Sequence, residues 1–81
     1  MPRYPEALRL ARAQGSVRAR FVIDANGKVR LRSVAVLSAT HPLFEDAVRD
    51  VLPRLRFLPA EAGDRAVAVL VEQTFNFIIS P

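Results

Sequence analysis

The clearest hydrophobic pattern lies near the end of the chain. Over residues 66–79, Val67, Val69, Val71, Phe75, Phe77 and Ile79 share one parity, and the stretch holds no Gly, no Pro and no positive charge. Period-2 alternation of β-branched and aromatic side chains predicts one long strand. It is long beside an ordinary strand of roughly five to six residues. Such a strand must pair on both edges, either with the rest of a small chain or with a partner.

Upstream, the pattern predicts four more elements. A helix over residues 6–14 follows Pro5, carries Glu6 in its first turn and meets Gly15 as a stop. Ala7, Leu8, Leu10 and Ala11 form its apolar face, and so short a helix persists only through packing. Residues 16–24 alternate next, with Val17, Ala19, Phe21 and Ile23 on one face and Arg18, Arg20 and Val22 on the other. Asp24-Ala25-Asn26-Gly27 then marks a turn into a second strand over residues 29–38.

Two turn geometries compete there. A two-residue turn on Asn26-Gly27 would set Phe21 against Arg32. A three-residue loop with Gly27 left-handed sets Ile23 against Val29, Phe21 against Leu31 and Arg20 against Arg32. A one-residue slip moves every side chain to the other face, so the hydrophobic pattern selects the three-residue loop. Val34 and Val36 take the opposite parity from Val29 and Leu31. The second strand is therefore either buried on both faces at its end or changes phase through a bulge near Ser33.

A second helix begins at Pro42, with Glu45 and Asp46 near its N-terminus and Phe44, Ala47, Val48, Val51, Leu52 and Leu55 as its stripe. Pro53 loosens its last turn, because proline has no N–H to donate. Residues 58–65, with Pro59 and Gly63-Asp64, read as a loop into the long strand. The expected fold is α+β: a two-layer sandwich in the order α-β-β-α-β. Its three-stranded antiparallel sheet runs second–first–last, with the helices on one face. The last strand is then an edge that overhangs its neighbour.

Composition narrows the class. The 81 residues, 51% of them apolar, make a single domain over 1–81 with one modest core. No apolar run reaches the ~18 residues that would span a membrane. Met1-Pro2-Arg3 leads straight into an amphipathic stretch, so no signal peptide is read, though a targeting segment could lie upstream of an excised domain. Cysteine is absent, which excludes a disulfide framework and thiolate metal sites and is compatible with either redox compartment. A net charge of +4 is ordinary for a small soluble surface.

No catalytic constellation is legible. His41, the one histidine, precedes Pro42 and reads as a helix cap or surface residue. Ser16, Ser33 and Ser38 lack a base other than His41, and Gly15, Gly27 and Gly63 are isolated, so neither a nucleophile elbow nor a phosphate loop is present. Neither an enzyme, a cofactor nor a metal is expected. Arg18, Arg20, Arg30 and Arg32 gather on the outer face of the first hairpin. They read as a solvated face, balanced in part by Glu72, or else as a docking face for an anion or nucleic acid. Nucleic-acid sheets interleave exposed aromatics with their basic residues, whereas Phe21, Phe75 and Phe77 take the inward parity, so nucleic acid is not the expected partner.

Several segments together resemble the TonB C-terminal domain family. They are Tyr4-Pro5 with Ala7, Gly15 with Val17, Phe21-Val22-Ile23-Asp24 with Gly27 and Val29, and Val34-Ala35-Val36-Leu37-Ser38. His41-Pro42-Leu43-Phe44-Glu45-Asp46-Ala47-Val48 is similar to the family's second helix. Arg54-Leu55-Arg56-Phe57-Leu58-Pro59-Ala60, with Gly63 and then Phe75-Asn76-Phe77, is similar to its close. The match runs from Tyr4 to Ile79. Leu55, where the family commonly has an aromatic, and Pro53 in the helix's last turn depart from it. TolA has a similar layout, but the Tyr-Pro opening and the Arg-x-Arg-Phe-x-Pro close match TonB better.

The resemblance implies a periplasmic domain tethered to the inner membrane of a Gram-negative bacterium by an upstream anchor and proline-rich spacer. It implies that the domain grips the TonB box of outer-membrane transporters and draws on the proton gradient through ExbB–ExbD. The expected mode is β-strand addition. Val69, Val71, Glu72, Gln73, Thr74, Phe75, Asn76 and Phe77 would supply the edge, and Arg3, Tyr4 and Pro5 a second contact. An unprotected edge also predicts self-pairing, so a structural homodimerisation module is the alternative. A further alternative, an arginine-rich nucleic-acid binder, would show salt-sensitive binding.

Overall fold

A computed structural model describes residues 2–80. Helix α1 (Glu6–Leu10) leads into strand β1 (Gly15–Ile23), then β2 (Val29–Ala39) and helix α2 (Pro42–Val51). A 3-10 turn (Leu52–Arg54) follows, then β3 (Ala60–Ala62), β4 (Arg65–Val67) and β5 (Val69–Phe77). The main sheet is antiparallel in the order β2-β1-β5, as expected. Helix α2 packs on β1 and β2, presenting buried Phe44 and Val48. They meet Val17, Phe21 and Leu52 in the most deeply buried part of the core.

The first turn forms as the sequence predicts. The Gly27 N–H donates to the Asp24 carbonyl at 2.9 Å, Gly27 has φ +81°, and Ile23 faces Val29. A side chain on Gly27 would meet the Phe57 carbonyl oxygen at 2.0 Å, so the close approach and the left-handed backbone both call for glycine. The Asp24 carboxylate accepts from the N–H groups of Asn26 and Lys28 at 2.8 and 3.0 Å. These bonds hold its pKa below the ordinary 3.8.

Beyond the turn the register departs from expectation. Val22 faces Arg30, but Arg20 faces Ala35, so two residues of β1 span five of β2. Phe21 therefore does not sit opposite Leu31, nor Arg20 opposite Arg32. Ser33 pins this bulge: its hydroxyl accepts from the Val22 N–H at 2.8 Å and donates to the Arg30 carbonyl at 2.6 Å. The phase change lets Val34 and Val36 pack against the core while Leu31 stays 54% exposed. A smaller shift follows between Ala19↔Val36 and Arg18↔Ser38.

Two other expectations need correcting. Helix α1 stops at Leu10 rather than Gln14, and only Leu8 of its expected apolar face is buried. Arg12, at φ +54°, ends it: the Arg12 N–H donates to the Arg9 carbonyl and the Ala13 N–H to the Leu8 carbonyl. These are the paired hydrogen bonds of a left-handed helix terminus, with arginine where glycine is usual. Gly15 serves packing instead, since a Cβ there would lie 2.0 Å from Thr40 Oγ1. The single long strand is also interrupted. At Val69, β5 meets the last residue of β1, and upstream of it β1 offers no further partner. There the strand is interrupted at Ala68, and β4 pairs instead with β3 across Gly63-Asp64, Gly63 having φ +64°.

At the second helix, the His41 imidazole caps: its Nδ1 accepts from the Leu43 N–H at 3.0 Å. Pro53 falls in the 3-10 turn that closes the helix.

Candidate functional site

Among the described residues, no strand pairs with the outer edge of β5. Which backbone groups that edge offers follows from one hydrogen bond. The Val22 N–H points toward β2, where it meets Ser33 Oγ. In an antiparallel ladder, residues alternate between exchanging both hydrogen bonds with one neighbour and with the other. Val22 faces Leu70 of β5, so Leu70 exchanges no ladder bonds with it and turns its N–H and C=O outward. The β1–β5 register is unbroken from Gly15↔Phe77 to Ile23↔Val69. Hence Leu70, Glu72, Thr74 and Asn76 present free donors and acceptors. Val69, Val71, Gln73, Phe75 and Phe77 turn theirs inward to β1.

This divides the residues expected from the sequence into two sets. Phe75 and Phe77 are buried, at 4% and 3% exposure, and hold the strand on the core. Val69, Val71 and Gln73 are half-buried on the same side. Leu70, Glu72, Thr74 and Asn76 are exposed and carry the open backbone. Leu70, 60% exposed, was not among the expected site residues. Its signal is the even parity it shares with Glu72.

Arg3, Tyr4 and Pro5 lie together. With Glu6, Leu43, Asp46, Ala47 and Asp50 they line a cleft of about 470 Å³ against α2. Tyr4 is a packing residue: its ring stands edge-on to Phe44 and Phe77 at 5.7 and 5.6 Å, and its hydroxyl donates to the Ala13 carbonyl. The Pro5 carbonyl accepts from Leu8 and Arg9 at the start of α1. Arg3 is exposed. Tyr4 also lines a second groove of about 360 Å³ with Arg9, Arg12, Ile78, Ile79 and Ser80, directly after β5.

None of the arginines Arg18, Arg20 and Arg30 faces another arginine across the β1–β2 pair. Arg20 lies between Ala35 and Glu72 and reaches the Glu72 carboxylate at 3.7 Å. Both side chains are close to half exposed, so the pair contributes little stability. Arg18 faces Ser38 and Thr74. The aromatic residues Phe21, Phe75 and Phe77 are all buried, so this face lacks stacking surfaces from them. No cluster of three or more metal-ligating side chains occurs among the described residues.

A two-layer α+β domain whose sheet leaves the β5 edge open and regular defines the class. The chain belongs to the family described as the Gram-negative bacterial TonB protein C-terminal domain, which it matches over residues 1–79. It is similar in structure to the TonB C-terminal domain of Pseudomonas aeruginosa, solved by solution NMR, with a TM-score of 0.83 and 27% sequence identity. That likeness covers 100% of this chain and 81% of the other. No curated protein matches the sequence significantly.

Proposed function

We propose that this domain engages the TonB box of an outer-membrane transporter as an added strand along β5. The observation that carries the reading is the row of outward backbone groups at Leu70, Glu72, Thr74 and Asn76. Backbone hydrogen bonds are indifferent to side-chain identity, so such an edge accepts varied sequences, and neighbouring side chains add selectivity. Arg3, Tyr4 and Pro5 flank the same end of the sheet as Phe77. Tyr4 acts there mainly by holding Phe77 in place.

The geometry suits the transmission of pull. Bonds perpendicular to a strand and loaded along it share the force, so a modest interface carries load briefly. In this reading the domain works in the periplasm. An upstream anchor in the inner membrane connects it to ExbB–ExbD and the proton gradient, and it acts as a transducer rather than an enzyme.

Titration of the isotope-labelled domain with TonB-box peptides tests the proposal. Amide shifts are expected at Leu70, Glu72, Thr74 and Asn76. Shifts confined to Arg18, Arg20, Arg30 and Arg32, with β5 silent, would reject it. Light scattering distinguishes the homodimerisation alternative, under which a stable dimer would persist unchanged when peptide is added.

A further inference from the structure

Charge is divided unevenly between the two layers. Helices α1 and α2 and the 3-10 turn carry four acids, Glu6, Glu45, Asp46 and Asp50, and three arginines. Each of those arginines is paired within its own layer: Arg9 with Glu6, Arg49 with Glu45 and Arg54 with Asp50. Strands β1 and β2 carry four arginines and no acid. A cationic excess therefore lies on the sheet.

The register shows what shares its outer face. Val17, Ala19, Phe21 and Ile23 of β1 are buried in the core, so Arg18, Arg20 and Val22 project to the other side. Their cross-strand partners project with them. The outer face thus holds three rows: Arg30 with Val22 and Leu70, Ala35 with Arg20 and Glu72, and Ser38 with Arg18 and Thr74. All are exposed except half-buried Val22, and Arg32 is exposed in the adjoining bulge. Arg18 and Arg30 make no ion pair among the described residues, and Arg20 has only Glu72, at 3.7 Å. Asp24 attracts Arg30 from the turn without pairing with it.

We propose that this face docks on a bilayer surface containing acidic phospholipids. A guanidinium presents a planar donor fork that suits phosphate. Beside Arg30, Val22 and the 60% exposed Leu70 form an apolar pair, and apolar side chains among cations suit the boundary between headgroups and acyl chains. A single-stranded nucleic acid would call for aromatic stacking surfaces, whereas Phe21, Phe75 and Phe77 are buried on the opposite side. A second copy would set arginines against arginines. Each arginine near an anionic surface strengthens partition about fivefold, so the docking is weak and reversible. The open edge of β5 points along the plane of the sheet and stays accessible. The inference is independent of strand addition and goes beyond it.

The test is cosedimentation of the domain with vesicles of phosphatidylcholine and phosphatidylglycerol in equal parts, against phosphatidylcholine alone. The domain should bind the acidic vesicles and not the neutral ones, and added salt should release it. Arg18→Gln and Arg30→Gln should each lower the partition about fivefold, and Glu72→Gln, which removes the acid of this face, should raise it by a similar factor. Arg9→Gln changes the net charge equally but in the helical layer. It should leave the partition within about twofold, because salt screens attraction beyond about 10 Å. A nitroxide on the lipid headgroup gives a reading without mutation: it should broaden the amides of Arg18, Arg20 and Arg30 and spare those of α2. Four results overturn the inference. They are equal partition into both kinds of vesicle, including none into either, a loss from Arg9→Gln as large as that from Arg18→Gln, broadening centred on α2, and tighter binding of single-stranded DNA than of acidic vesicles at the same salt. None of them bears on strand addition, which is read separately from the β5 amides with TonB-box peptides.

Discussion

Thr74→Pro tests the central geometric deduction, that alternate residues of β5 point their backbone outward. Thr74 faces Arg18, whose ladder bonds run to β2, so its own N–H has no partner in the sheet. Proline is tolerated on an edge strand where the missing N–H faces solvent. Its φ near −65° strains the strand modestly, at about 1 kcal/mol, which lowers Tm by about 4–8 °C in a domain of this size. Gln73→Pro, one residue away, deletes an inward N–H that bonds β1 opposite Ala19. That loss, with the ring thrust into the ladder, costs about 3 kcal/mol or more. Total stability for 81 residues is on the order of 4–12 kcal/mol, so Gln73→Pro consumes much of it. For binding the order reverses. Thr74→Pro removes one donor from the peptide's ladder and its ring obstructs the adjacent bond. Two net hydrogen bonds at about 1 kcal/mol each predict affinity weaker by about 30-fold. Thermal melts, amide spectra and anisotropy titration read all three quantities. Native amide exchange gives the same answer without mutation: Leu70, Glu72, Thr74 and Asn76 should exchange fast, and Val71, Gln73 and Phe75 slowly. A Thr74→Pro domain that unfolds like Gln73→Pro refutes the assignment of backbone direction. One that stays folded and binds peptide with native affinity refutes strand addition at this edge.

Three further outcomes are expected. Ser33→Ala leaves the Val22 N–H and Arg30 carbonyl without their partner at the bulge and should cost about 1–2 kcal/mol, read as a lower urea midpoint at unchanged slope. Gly27→Ala should cost more than about 2 kcal/mol, because it adds a clash with the Phe57 carbonyl to a left-handed backbone, and thermal melts should show it. The Asp24 carboxyl has a depressed folded pKa, so its stabilising contribution is present above its unfolded value of about 3.9 and is lost as pH falls through the lower folded value. Asp24→Asn should flatten that acid limb of stability, and equal pH profiles for the two proteins would refute the role.

The spacing of apolar positions was enough to read the antiparallel turn at Gly27 and the α2 stripe, and one hairpin followed by one helix made β2-β1-β5 the simplest sheet order. Those features follow from burial, which composition encodes directly. The features that escaped depend on backbone detail. The end of α1 rests on Arg12 adopting a left-handed conformation, a role in which glycine is the usual signal. The phase change near Ser33 was legible from Val34 and Val36, but its extent was not, since the hydroxyl that pins it bonds another strand's N–H. The β3–β4 hairpin escaped because Ala60, Glu61 and Ala62 have weak strand propensity. Its one signal was Gly63-Asp64, which suits a two-residue turn with glycine first. At the edge, the strand itself was legible, but the division between inward and outward backbone was not. That division follows from the Val22–Ser33 bond, which no periodicity reveals.

The doubly shifted β2 strand has a consequence for assembly. Its flank of the sheet carries three surplus residues at one step and one at another, so it offers an irregular template for a further strand. A strand added to the sheet would therefore find a regular flank only along β5. A copy that docks through β5 onto another copy's β5 uses up both regular flanks, and polymerisation ends at two. An expressed domain of this kind should precipitate less readily than its bare strand suggests, because a copy paired through β5 would leave no regular flank for a third.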